Sequence, residues 1–172
     1  MTVIGLIKEE LLRYFDPATN PRGGGTTTVW LLAGADVSPP PWVGPGDDDV
    51  PGDCTDCGPY LWVRLVSRWR TGGPRSAAFP DQALATACSM GRAATIEVGI
   101  ARCHPLDGDE PTMAEQAFIQ WSDSWRIDNA LCKALAAAEK EEVVTGTAID
   151  AGEPWGPEAM VLVWMQQAHV KL

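Results

Sequence analysis

Apolar residues recur at helical spacing at the start of the chain. Val3, Ile4, Ile7, Leu11, Tyr14 and Phe15 follow a helical period, while Lys8, Glu9 and Arg13 fall elsewhere on the wheel. That pattern predicts an amphipathic helix over 3–15, capped by Thr2 and stopped by Asp16-Pro17. A Gly/Pro connection at 18–25 leads into TTTVWLLA (26–33), whose β-branched and aromatic content predicts a strand. Residues 60–70 (YLWVRLVSRWR) alternate, with Leu61, Val63, Leu65 and Trp69 on one face. Tyr60, Trp62, Arg64, Val66, Arg68 and Arg70 take the other, so a half-buried strand is expected.

A short helix is predicted near 81–91, ending at Gly91. A strand over 95–103 follows, closed by His104-Pro105. Thr112 and Glu115 have capping-box spacing, and Phe118, Trp121, Trp125, Leu131 and Leu135 read as one apolar stripe of a helix running to about Lys140. Residues 142–148 predict a strand and GEPWGP (152–157) a turn. Residues 159–170 are apolar on both faces at their start, the mark of a central strand. The fold expected is a single α+β domain over 1–172: a mostly antiparallel sheet of four to five strands, two long helices packed on one face, and a long acidic loop.

That loop, an insertion over 34–59, holds the run Pro39-Pro40-Pro41, six Asp and no Lys or Arg. It has too little apolar surface to order itself as a packed element, so it reads as a loop or flap, with Trp42 as an anchor for a partner. Charge extends the picture to the whole chain. The net charge is −10, which opposes non-specific DNA binding, since that depends on neutralising phosphates. A chain of 172 residues hides roughly 70% of its unfolded surface, so neither metal nor disulfide is required for stability. Eight Trp are many for one small core, which places some at interfaces. Residues 2–15 lack the pattern of a secretory leader, and no run approaches the ~18 apolar residues of a membrane span. The odd count of five Cys fits a reducing compartment better than a disulfide framework.

Candidate chemistry is sparse. Cys54 and Cys57 have the spacing of a zinc half-site or a redox pair, but equally of free thiols or a loop disulfide. No second C-x-x-C supplies the remaining ligands, and Gly58-Pro59 leads into a strand where a redox motif would open a helix. His104 and His169 are the only histidines, with no nucleophile elbow near either, and Gly23-Gly24-Gly25 lacks the Lys-Ser/Thr of a phosphate loop. No catalytic residue is therefore assigned, and no cofactor apart from zinc at Cys54 and Cys57. The residues read as interface are Trp42, Trp62, Arg64, Arg68 and Arg70, together with Trp155 in the Gly/Pro turn. The arginines are expected to meet an acidic surface of a neighbouring subunit, the 34–59 segment being one such surface.

Three segments carry a resemblance: VIGLIKEELLRYF (3–15), IEVGIARCHP (96–105) followed by the helical DSWRIDNAL (123–131), and the closing GPEAMVLVWMQQAHV (156–170). In arrangement they resemble the neck proteins of long-tailed actinobacteriophages, in particular tail terminators and minor head–tail connectors. The resemblance implies a virion subunit assembled in the host cytoplasm, not an enzyme, forming a homo-oligomeric ring (a hexamer) at the top of the tail tube. It implies the tail-tube protein and a head-completion or stopper protein as partners, and a lumen through which DNA passes without specific binding. A stopper, adaptor or minor tail subunit is the alternative role, and a zinc-stabilised binding module a separate one.

Overall fold

The computed structural model describes residues 2–33, 58–70, 91–104, 108–158 and 160–172. Helix α1 (Val3–Tyr14) is capped by Thr2, whose hydroxyl accepts from the Gly5 amide at 3.2 Å. Its buried stripe, Val3, Leu6, Ile7 and Leu11, is continued by Phe15. A 3-10 turn at Pro17–Thr19 ends it. Strands β1 (Val29–Leu32), β2 (Tyr60–Arg70) and β3 (Arg92–Cys103) follow, then helix α2 (Glu110–Lys140), β4 (Gly146–Ile149), β5 (Glu153–Glu158) and β6 (Val161–Lys171).

The architecture is α+β with one mixed sheet of six strands and two helices. The order is β1-β2-β3-β6-β4, with β5 also paired to β6. β1 runs parallel to β2 and every other pairing is antiparallel. Residues 152–157, expected as a turn, lie largely in β5, and backbone pairing to β6 carries even Pro154 into the ladder. The predicted short helix at 81–91 and the acidic 34–59 segment lie largely or wholly outside the described residues.

The main core lies between the helices and one sheet face. Leu61 and Val63 of β2, Ala94, Ile96, Val98 and Ile100 of β3, and Ala168 and Val170 of β6 meet α1 and the Ile127–Ala138 stretch of α2. β2 departs from the expected half-buried pattern: Tyr60, Leu61, Trp62 and Val63 are all buried, whereas Leu65 and Val66 are exposed at an irregularity between Leu65 and Ser67. The start of β2 is covered on both faces, Leu61 and Val63 in the main core and Tyr60 and Trp62 in a second cluster, and the extra residue at Val66 shifts the alternation beyond it. Trp62, with Tyr60, Ala101, Val161 and Val163, forms a second cluster on the face away from the helices.

Cys103 is disulfide-bonded, while Cys132 is a free, exposed thiol. No described helix is long and apolar enough to cross a membrane.

Candidate interaction surface

Helix α2 positions the most exposed aromatic surface of the described chain. Its N-cap is Asp109, which accepts from the Thr112 amide at 3.1 Å and also from the Thr112 hydroxyl. The helix therefore starts a turn earlier than the Thr112/Glu115 spacing predicts, with Thr112 inside it. Hydrogen bonds from the Thr112 side chain, then from its backbone, hold the Asp109 carboxyl below its usual range.

The expected single stripe of α2 is in fact two faces. Ile119, Asp123, Ile127, Ala130, Leu131, Ala134, Leu135 and Ala138 are buried. Phe118, Trp121 and Trp125 are 47%, 62% and 58% exposed. At about 100° per residue these three rings cluster roughly opposite the buried stripe. The six-residue step from Trp125 to Leu131 carries the pattern from one face to the other. Ala and Asp, which hydropathy reading passes over, fill much of the inward face.

A buried ion pair fixes that inward face. Arg102 on β3 donates through Nε to Asp123 Oδ2 at 2.5 Å and through Nη2 to Oδ1 at 2.9 Å. The same guanidinium donates to the carbonyls of Gly23 and Gly24. Gly23 has φ +76, and a Cβ there would press on Ile119 at 2.7 Å, so a side chain is excluded twice over. One arginine thus ties β3, α2 and the 21–24 turn together. Burial pushes the Asp123 carboxyl up, against the pull of Arg102 and Arg126.

With its inward face fixed, α2 presents the aromatic face beside the end of α1 and the 21–24 turn. Tyr14, Arg22, Phe118, Trp121, Trp125 and Arg126 line an open groove of about 640 Å³. Arg22 lies over the Phe118 ring at 4.8 Å and donates to Glu115 at 2.9 Å. Arg126 donates to the Tyr14 carbonyl at 2.6 Å, and the Lys133 ammonium stands over the Tyr14 ring at 5.6 Å. The wall is aromatic with cations set among the rings, an arrangement suited to an acidic, apolar-bearing polypeptide.

The residues expected at an interface are only partly there. Trp62 is 1% exposed, packed in the second cluster with Nε1 directed at Glu97. Arg64 is engaged within the chain, donating to Glu97 through Nε at 2.6 Å and Nη2 at 3.0 Å. Within the single chain both are engaged inward, because β3 presents Glu97, a buried carboxylate that needs these donors, directly opposite Arg64. Arg68 is exposed, and Arg70 is partly buried and has a partner within the chain. Trp155 is 49% exposed on β5, and Trp30, at 45%, stands on the terminal strand β1. Trp42, Cys54 and Cys57 lie outside the described residues. Among the described residues no group of three or more His, Cys, Asp or Glu is placed to hold a metal.

Away from the helices, Thr95 Oγ1 lies 2.9 Å from His169 Nδ1, and His169 Nε2 lies 2.7 Å from Asp150 Oδ2. Thr95 is only 5% exposed within the sheet, so this polar relay joins β3, β6 and the β4–β5 connection and does not present a nucleophile. Comparison of the chain with protein-family models and with curated proteins finds no match to either.

Proposed function

We propose that this chain is a structural assembly subunit that works through its outer surface. The observation that carries the reading is the outward aromatic face of α2. Phe118, Trp121 and Trp125 are large rings turned away from the core that their own helix helps to build. Exposing three neighbouring aromatics has a hydration cost that contact with another protein relieves. Trp30 and Trp155 add exposed rings on strands at opposite sides of the sheet. Two unlike surfaces are what a head-to-tail ring requires.

The specific role we propose is that of a phage neck subunit, foremost a tail terminator. It would form a homo-oligomeric ring in the virion that ends tail-tube polymerisation and docks to a head-completion protein. The resemblance of segments 3–15, 96–105, 123–131 and 156–170 supports this choice, and a net charge of −10 suits a channel through which DNA passes without adhering. Stopper, adaptor and minor tail roles use the same kind of surface and are the alternatives.

Native mass spectrometry and negative-stain imaging of the purified chain test the assembly reading. Rings, or oligomers growing with concentration, are expected. W121A/W125A should shift the population to monomer while leaving the thermal midpoint within a few degrees of wild type. A wild-type chain that is monomeric at every concentration sinks the reading. Co-assembly with tail-tube protein tests the specific role: the chain should shorten the tubes in proportion to its concentration, and unchanged tube lengths reject termination.

A further inference from the structure

We propose that the aromatic groove beside α2 receives the proline-rich acidic segment 36–53 of a second copy of this chain. The inference rests on the assembly reading and names the contact that makes it. Segment 36–53 lies outside the described residues.

Chemistry matches the two. The groove is walled by the rings of Tyr14, Phe118, Trp121 and Trp125, with Arg22 and Arg126 among them. Aromatic-lined grooves of this kind take polyproline segments, whose stiff backbone loses little freedom on docking. Residues 36–53 contain Pro39, Pro40, Pro41, Pro45 and Pro51, with Trp42 beside the triple-proline run. They also carry Asp36, Asp47, Asp48, Asp49 and Asp53 and no Lys or Arg. In a chain of net charge −10, the cationic groove is the local exception and the segment its electrostatic complement.

The assembly reading calls for an occupant from another molecule. Trp121 and Trp125 are 62% and 58% exposed, which leaves the groove open to a segment of a neighbouring copy. A groove on one copy that takes a segment of the next is a heterologous contact, which propagates and closes as a ring.

The test uses two full-length variants and one peptide. P39A/P40A/P41A disables the segment and keeps the groove; W121A/W125A does the reverse. Each alone should lose the wild-type oligomers in native mass spectrometry. Mixed, they should form one heterodimer and nothing larger, because only one productive contact remains. A fluorescein-labelled peptide of residues 36–53 should bind the P39A/P40A/P41A chain saturably. Binding should weaken at least tenfold when W121A/W125A is added, and also on raising salt. Equal binding with and without the tryptophans overturns the inference, as does a P39A/P40A/P41A chain that assembles like wild type. Displacement of the peptide by a short oligothymidylate at equal concentration also overturns it, since the groove would then prefer a nucleic-acid strand. Failure of this contact with intact wild-type rings rejects the inference alone, whereas a monomeric wild type rejects the assembly reading beneath it.

Discussion

Gly99 and Trp62 stand opposite each other on β3 and β2, and a Cβ on Gly99 would fall inside the Trp62 ring. The absent side chain is what lets Trp62, the largest fully buried ring among the described residues, lie flat on the sheet. Gly99→Ala should therefore destabilise the chain by about 1–3 kcal/mol, the usual cost of overpacking a filled core. A lowered urea midpoint with unchanged m-value checks this, and an unchanged midpoint contradicts it. Arg102 poses the opposite problem, a charge whose removal strands its partner. Arg102→Met leaves Asp123 buried without its guanidinium and should cost about 3–5 kcal/mol, with R102M/D123L recovering a large part of the loss. Additive losses in that double variant would show that the pair acts only through packing.

Helix α2 is long enough to have separate duties along and around its axis. Its 31 residues span about 46 Å at 1.5 Å per residue. The far half packs on the sheet, and the near half is fixed through Arg102 and Asp123. Asp109 holds the first turn, and its carboxyl is lowered below its ordinary 3.8. The folded value lies below the unfolded one, so the cap's contribution is fully present above pH 3.8 and is lost as pH falls through the folded value. Amide exchange over 110–113 should accelerate below that point in wild type. Asp109→Asn should abolish the pH step; an identical step in the variant would place its origin elsewhere.

At the scale of the whole molecule, a net charge of −10 contrasts with a groove where Arg22 and Arg126 accompany the aromatic rings and Lys133 stands over Tyr14. Association through that groove should have an electrostatic share and an apolar share. Raising salt from 0.05 to about 0.5 M shortens the Debye length from about 14 to 4 Å and should weaken oligomers several-fold without dispersing them. Salt-independent association would point instead to the exposed rings at the sheet edges, Trp30 and Trp155.

The amino-acid sequence determined the elements that local rules govern. α1 and its Thr2 cap, the bounds of β2, the α+β class and the inner position of β6 all follow from periodicity, caps and β-branched content, which act over a few residues. Tertiary structure decided what those rules cannot reach. Trp62 and Arg64 alternate with inward residues and so read as outward, yet Gly99 and Glu97 on the neighbouring strand claim both of them. Phe118, Trp121 and Trp125 read as core because they are apolar, yet Ala130, Ala134 and Ala138 take the inward side, since a helix held close to a sheet needs small residues there. β5 was hidden because Gly and Pro mark turns locally, while its pairing partner lies in β6. β5 apart, each element's existence was written in its own residues; which face meets the core, and so which surface is left for a partner, depended on residues distant in the chain.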